Sequence, residues 1–184
     1  MIVALAGRRV DAPGTESNRF PLTNVEKVKE RLRNFFVLNK PAALVCAGAC
    51  GADLLALQIA REMKIRSSMV IPFAPEVFKK TSVSDRPGNW DDVFDKIYTE
   101  LNSEGEVIVL NYAEEDPLAY EKTNIEILNR AKMLLQTLAP GANNNQLLAL
   151  IVWNGEARQT SDITAHFMDN AKQQGFNVQE ISTL

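Results

Sequence analysis

Small residues and a helix start meet at residues 46–51, which read "CAGACG". The apolar run "AALV" precedes them and "LLALQIAREM" follows, so we expect a strand to enter this corner and a helix to leave it. Small side chains let the backbone approach a ligand, and a helix N-terminus offers N–H groups to a phosphate. The corner therefore predicts ligand contacts at Gly48, Ala49, Gly51 and Ala52. The alternative is that its glycines only permit a tight turn and close helix–sheet packing.

The corner departs from two known phosphate-binding sequences. Against the dinucleotide fingerprint G-x-G-x-x-G, Gly48 and Gly51 occupy the second and third glycine positions, and Cys46 takes the first. No acid follows at the distance of about 20 residues at which one binds the ribose. The P-loop sequence G-x-x-x-x-G-K-[ST] is absent. An ordinary NAD dehydrogenase is therefore disfavoured.

Two arginines follow the first predicted strand directly, in "ALAGRRVD". Gly7 leaves room at the strand end, and a guanidinium of Arg8 or Arg9 can bind a phosphate through two parallel hydrogen bonds. The alternative for each arginine is a solvated or salt-bridged side chain.

The helix predicted after Asp116 carries polar residues in its apolar stripe. Tyr120 and Asn124 extend the stripe towards the helix N-terminus, and a buried asparagine must be satisfied by backbone or by ligand. Glu121 lies beside them and could accept a hydrogen bond from a ribose hydroxyl. A second candidate helix N-terminus follows Gly155 in "WNGEARQTSD", with Thr160 or Ser161 as its cap.

Other reactive side chains point to structural roles. For Asp53 we favour a hydrogen bond to the loop backbone over catalysis. Cys46 and Cys50 have no second cysteine pair or histidine cluster, so we expect buried thiols and no metal site. His166, the only histidine, falls in the last predicted helix and has no catalytic motif around it.

These candidates need a scaffold that brings strand ends together. Apolar runs alternate with helical patterns, and strands are predicted at 2–6, 42–47, 67–73, 106–111, 147–153 and 177–181. Helices are predicted at about 24–38, 51–63, 90–101, 117–137 and 161–174, with a long irregular stretch at 72–89. Nearly continuous apolar strands predict one doubly wound α/β domain over 1–184, with a mainly parallel sheet of about six strands and helices on both faces. Ligands of such sheets bind outside the carboxyl ends of the strands.

Composition narrows the class of protein. The 184 residues are 46% hydrophobic and carry a net charge of -3, which disfavours a nucleic-acid partner. No run of 18 apolar residues predicts a membrane span, and the N-terminus has no basic region before its apolar run. We therefore expect a cytoplasmic protein with no membrane partner.

Five segments, taken together, resemble SLOG-type domains in order and spacing. They are "ALAGRRVD", "CAGACGADLLALQIA", "IPFAPEVFKKTSVSDRPGNWDDVFD", "AYEKTNIEILNRA" and "IVWNGEARQTSDITAHFMDNAKQQGFNV". SLOG domains are Rossmann-like relatives of the cytokinin-activating LOG phosphoribohydrolases and of the DprA fold. The resemblance implies a Rossmann-like three-layer sandwich that senses a nucleotide-derived molecule, such as an NAD-derived or cyclic nucleotide signal. It also implies a homo-oligomer, a separate effector protein and no cofactor.

The resemblance places the ligand in a crevice formed by several parts of the chain. The lining residues that it implies are Gly7, Arg8, Arg9, Gly48, Ala49, Gly51, Tyr120, Asn124 and the loop from Gly155 to Thr160.

One departure from the LOG enzymes bears on activity. Their P-G-G-x-G-T-x-x-E motif carries a catalytic glutamate, and the matching "NGEARQTSD" has neither the glycine pattern nor that acid. This favours binding without turnover. The alternative is a LOG-like N-glycosidase with Glu121 or Glu126 as its acid, and with Asp53 as the third choice. A DprA-like single-strand DNA binder is disfavoured by the net acidity.

Overall fold

The structure is a computed structural model, and it describes residues 1–16, 18–158 and 162–184. The strands within these ranges are β1 Ile2–Gly7, β2 Ala43–Cys46, β3 Arg66–Ile71, β4 Val107–Val109, β5 Leu147–Trp153 and β6 Asn177–Ser182. The helices are α1 Val25–Asn39, α2 Ala52–Glu62, α3 Pro75–Ser82, α4 Trp90–Ser103, α5 Ala119–Leu138 and α6 Ile163–Gln173.

All six strands form one parallel sheet in the order β4-β3-β2-β1-β5-β6. The chain winds outward from β1 to β4 and then crosses back through α5 to β5 on the other side of β1. The strand order therefore reverses between β1 and β5, which pair from Ile2 with Leu147 to Gly7 with Val152. This reversal is where α/β proteins of this type form a ligand crevice.

Helices cover both faces of the sheet. Val3 and Leu5 of β1 pack with residues of α1, α2 and α4, whereas Ile2, Ala4 and Ala6 pack with residues of α5 and α6. The alternation follows from the strand geometry, in which successive side chains point to opposite faces. Burial on both faces explains the nearly continuous apolar strands, and it confirms the predicted Rossmann-like three-layer sandwich.

Two helix predictions were wrong in their bounds. The stretch 72–89 is not wholly irregular, because it contains α3, which begins with Pro75 in its first turn and buries Phe78. Helix α5 begins at Ala119, three residues later than Asp116, because the carboxylate of Asp116 accepts the N–H of Leu118 and closes a turn first.

The cap of α6 also differs from the prediction. Asp162 is its N-cap, and its Oδ1 atom accepts the N–H groups of Thr164 and Ala165. The predicted caps, Thr160 and Ser161, lie outside the described residues. Over the ranges that the structure describes, none of the helices combines the length and the apolar character needed to cross a membrane.

Candidate functional site

A cavity of about 370 Å³ lies at the carboxyl end of β1, where the strand order reverses. Its walls come from the end of β1, the corner between β2 and α2, the part of α3 from Phe78 onward, the first three turns of α5 and the start of α6. The structure therefore brings together five segments that are far apart in the sequence. The lining residues include Leu5, Arg8, Arg9, Asp53, Phe78, Ser82, Tyr120, Asn124, Ile127, Arg158 and Asp162.

Only some of the predicted site residues line this cavity. Those that do are Gly7, Arg8, Arg9, Ala49, Tyr120 and Asn124. Those that do not are Gly48, Gly51, Ala52 and Gly155. Thr160 lies outside the described residues, so its predicted role stays a prediction.

The backbone N–H groups of the glycine-rich corner donate to acceptors of the protein itself. Gly48 and Ala49 donate to Oδ2 of Asp53, over 3.1 and 3.2 Å. The N–H of Cys50 donates to the carbonyl of Ser82 over 3.0 Å, and that of Ala52 to the carbonyl of Arg8 over 3.2 Å. Four donors that a phosphate could have used are thus already engaged.

The glycines of the corner allow close packing. Gly51 has φ 92°, and a Cβ atom added to it would lie 2.8 Å from the carbonyl oxygen of Arg8 and 2.9 Å from the nitrogen of Val10. A Cβ atom on Gly7 would collide with that of Ala52. Small residues are therefore required where the end of β1 crosses the start of α2. These contacts are those expected from the packing alternative; ligand contact at Gly48, Gly51 and Ala52 stays a prediction.

Asp53 is a buried carboxyl in the cavity wall, with 6% of its surface exposed. Its Oδ2 atom accepts the two corner N–H groups, which confirms the predicted hydrogen bond to the loop backbone. Its Oδ1 atom is buried and has no hydrogen-bond partner among the described residues. Burial raises the pKa of this carboxyl to about 7, against the opposing effect of the backbone hydrogen bonds. A buried polar atom without a partner, in a residue that lines a cavity, indicates a missing partner.

Arg8 is held by a buried ion pair with Asp162. Its guanidinium donates to both carboxylate oxygens of Asp162 over 2.8 Å, to Oδ1 of Asn154 over 3.2 Å and to the carbonyl of Glu156 over 2.6 Å. The guanidinium also lies 5.6 Å from the ring centroid of Trp153. These contacts join the end of β1 to the start of α6, and they favour the salt-bridged alternative for Arg8.

Asp162 stays ionised although it is buried. Burial by itself raises the pKa of Asp162, but hydrogen bonds from Arg8 and from the N–H groups of Arg158 and Ala165 hold it at about 2. This carboxylate therefore neutralises Arg8 and also occupies the N-terminus of α6.

Two further arginines lie at the cavity. Arg9 is partly exposed and pairs with Asp85 over 2.8 Å. Arg158 is exposed, and its guanidinium makes no hydrogen bond or ion pair with any residue that the structure describes. Partial burial, followed by the charges of nearby arginines, lowers the pKa of Arg158. A guanidinium that lacks a counter-ion and lies beside other cations favours binding of an anion.

Polar groups of α3 and α5 form the opposite wall. The hydroxyl of Tyr120 lies 2.9 Å from Oγ of Ser82. The Nδ2 atom of Asn124 donates to the carbonyl of Ile163 over 2.9 Å, so the backbone satisfies this side of the buried amide. The Oδ1 atom of Asn124 has no hydrogen bond from the described part of the chain and remains available as an acceptor.

The two glutamates predicted as catalytic acids lie away from the cavity. Glu121 faces His166, with 3.3 Å between Oε1 and Nδ1. Glu126 accepts a hydrogen bond from Asn129 over 3.2 Å. Neither residue lines the cavity, whose carboxyl groups are those of Asp53 and Asp162.

The expected buried thiols are present. Cys46 and Cys50 are both free and buried, and burial raises the pKa of Cys50 to about 12. In the described ranges, no group of three or more metal-binding side chains comes together.

Sequence reasoning missed part of the site. It did not place Asp162 in the cavity wall, and it ranked Asp53 behind Glu121 and Glu126 as an acid. It included Arg158 only as a member of the loop from Gly155 to Thr160 and did not single it out. The run "TSD" at 160–162 offers three residue types that cap helices, so the sequence could not single out Asp162. No protein-family model matches the chain, and a search of curated proteins found no similar sequence.

Proposed function

We propose that this chain binds a nucleotide-derived small molecule in the cavity and passes its occupancy to a separate effector protein. One observation carries the proposal: the cavity at the strand-order reversal has polar groups at two places that find no partner among the described residues. These groups are the buried Oδ1 atom of Asp53 and the guanidinium of Arg158. A ligand with a hydrogen-bonding body and an anionic end supplies partners to both.

The size and lining of the cavity favour a ligand of about one nucleotide. Its volume of about 370 Å³ is near the lower end of the range of roughly 300–1,000 Å³ for small-molecule sites. Leu5, Phe78 and Ile127 make part of its lining apolar, which suits a base. Hydroxyl groups of Ser82 and Tyr120 add polar contacts, which is the usual composition of such sites.

The carboxyl groups support binding more than turnover. Asp162 is ionised and fully engaged with Arg8 and the α6 backbone. Glu121 and Glu126 lie elsewhere. Among its described lining residues, the cavity therefore has no pair of free carboxyl groups that could divide the roles of acid and base.

An enzyme that cleaves the N-glycosidic bond of a nucleotide is the alternative, and one observation favours it. Asp53 lines the cavity with a pKa of about 7, a value suited to a general acid at neutral pH. In that case Asp53, and not Glu121 or Glu126, is the first acid to test.

The experiment is a thermal-shift panel with AMP, cyclic AMP, cyclic dinucleotides, ADP-ribose, cyclic ADP-ribose isomers and NAD, followed by chromatography of the recovered ligand. A stabilising ligand recovered intact supports the sensor. A ligand recovered cleaved supports the enzyme. No stabilisation by any member of the panel contradicts the nucleotide proposal.

A homo-oligomer is part of the proposal. Ile125, Met133 and Leu138 of α5 are exposed apolar side chains, which an oligomer could bury. Light scattering on the purified chain tests this, and a monomer at all concentrations contradicts it.

A further inference from the structure

The ends of the cavity differ in charge and burial. The inner wall, which we define as Leu5, Asp53, Phe78 and Ile127, is buried and holds the unpartnered Oδ1 atom. The mouth, defined as Arg9 and Arg158, is partly exposed or exposed and carries positive charge. A ligand that has one anionic end and one apolar, hydrogen-bonding end can therefore satisfy the cavity in one direction only.

A phosphate is disfavoured at the inner wall. The corner N–H groups that could bind one donate to Asp53, Ser82 and Arg8 instead. The N-terminus of α6 is occupied in the same way by Asp162. A phosphate at either place would have to displace a carboxyl group that already accepts these N–H groups. At the start of α6 it would also meet the ionised carboxylate of Asp162, whose like charge repels it.

A nucleobase suits the inner wall. Leu5, Phe78 and Ile127 make this wall apolar, which suits a flat ring, and Asp53 adds one oxygen that has no partner among the described residues. Since Oδ2 accepts both corner N–H groups, the proton of a neutral Asp53 carboxyl belongs on Oδ1. Oδ1 is then a hydrogen-bond donor, and every nucleobase has ring-nitrogen or carbonyl acceptors.

We propose that the ligand binds with its base at the inner wall, where the carboxyl of Asp53 donates a hydrogen bond to an acceptor atom of the base, and with its phosphate at the mouth beside Arg158. This inference rests on the proposed nucleotide binding and adds the orientation of the ligand and the group that recognises the base.

The surroundings of Asp53 favour its neutral form. None of the described cations forms an ion pair with it, because Arg8 pairs with Asp162 and Arg9 pairs with Asp85. The other titratable or charged groups around the cavity and the corner are Cys46, Cys50, Tyr120, Arg158 and Arg86, which pairs with Asp85. Burial raises the pKa of both thiols, so they stay uncharged at neutral pH. Burial also raises the pKa of Asp53 to about 7, so both of its forms are accessible near neutrality.

The first test measures affinity against pH with nucleosides, which have no phosphate that titrates near pH 6. Adenosine, guanosine, cytidine and uridine are titrated into the wild-type chain by calorimetry between pH 6 and pH 8.5. If only the protonated carboxyl binds, affinity for the bound nucleoside falls about thirty-fold over this interval, because the competent fraction falls with a pKa of about 7. Constant or rising affinity overturns the inference.

Asp53→Asn gives an independent test. The amide oxygen can accept the two corner N–H groups, which leaves the NH₂ group at the Oδ1 position as a permanent donor. We expect this variant to bind within about threefold of the wild-type affinity at pH 6 and to lose the pH dependence. Asp169→Asn on the exposed side of α6 is the matched control and keeps the wild-type profile. A folded Asp53→Asn chain that does not bind overturns the inference, since the ligand then requires the carboxylate as an acceptor.

Arg158→Ala tests the position of the phosphate. The affinity of the variant for AMP is compared with its affinity for adenosine, and likewise for each other nucleotide and its nucleoside. We expect the affinity for the nucleotide to fall about tenfold and the affinity for the nucleoside to stay unchanged. Arg33→Ala on α1, which removes a distant exposed arginine, should affect neither. Equal losses for nucleotide and nucleoside, or no loss for either, overturn the proposed orientation.

Failure of the proposed function gives a different result. If no nucleotide or nucleoside binds the wild-type chain at any pH, nucleotide binding itself is contradicted and the inference falls with it. If nucleotides bind with the wrong pH dependence or without a role for Arg158, the proposed function stands and only the inference fails.

Discussion

Removing the Arg8 side chain tests whether its ion pair with Asp162 stabilises the junction of β1 and α6. Arg8→Ala deletes four hydrogen bonds, two of them to Asp162, and the contact with the ring of Trp153. It leaves the Asp162 carboxylate buried, with only backbone N–H groups as partners. The cost therefore includes an uncompensated buried charge as well as the lost hydrogen bonds.

The expected loss of stability is large for a single side chain, because the ion pair is buried. Breaking a buried ion pair by removing one partner costs about 3–5 kcal/mol. For a chain of 184 residues, this corresponds to a fall in Tm of roughly 6–20 °C. Urea unfolding followed by circular dichroism gives the free energy of unfolding of each variant directly, provided that the slope with denaturant stays constant.

The neighbouring arginine provides the control. Arg9 pairs with Asp85, and about a third of each side chain is exposed, so Arg9→Ala should cost only about 0–1 kcal/mol. If Arg8→Ala costs no more than Arg9→Ala, the argument that Arg8 stabilises the junction of β1 and α6 is refuted. If Arg8→Ala causes an intermediate loss of unfolding free energy, and causes no loss in a chain that already carries Asp162→Asn, the loss arises from the Arg8–Asp162 pair.

Further predictions follow from titration and from the glycines. The pKa of Asp162 is lowered to about 2, so its stabilisation is complete above about pH 4 and is lost as the pH falls towards 2. The pKa of Asp53 is raised to about 7, so the stability of the wild-type chain falls as the pH rises from 4 to 7. Asp53→Asn removes this loss, so the Tm of the variant should exceed that of the wild type by more at pH 8 than at pH 5. An equal difference in Tm at both pH values contradicts a neutral Asp53. Gly155→Ala should cost about 1 kcal/mol, because φ is 84° but the space is open. Gly51→Ala should cost distinctly more, because its Cβ atom meets the carbonyl of Arg8; equal losses in urea unfolding contradict the packing role.

The sheet could be predicted because its information is local. Each apolar run, such as 147–153, is long enough to be a strand and too short for a core helix, and the alternation with helices indicates parallel pairing. The helix α3 was missed because it has eight residues, and the apolar residue that it buries is Phe78. Two prolines, Pro72 and Pro75, lie close to its start and suggest a loop.

Site residues could be predicted from the sequence only where their contacts are close in sequence or where they directly follow a predicted strand. The bond from Asp53 to the corner spans four or five residues, so the sequence could indicate it. The partner of Arg8 is 154 residues away, and nothing in the sequence distinguishes Asp162 from the other acids as that partner. The unpartnered atoms at Asp53 and Arg158 are also invisible in the sequence, because they depend on which groups do not meet.

Asp53 and Asp162 occupy positions in the crevice where the fold alone predicts a bound phosphate. In folds of this type the helix N-termini at the strand-order reversal are the usual place for a phosphate. Here Asp53 binds the N–H groups before α2, and Asp162 binds those that begin α6, so carboxyl groups of the chain occupy the anion positions. Asp162 is compensated by Arg8, but Asp53 has no described cation, so its charge is the one that burial suppresses. Among the described residues of the cavity wall, Arg158 is the cation without a counter-ion, so we expect an anionic ligand to keep its charge at the mouth.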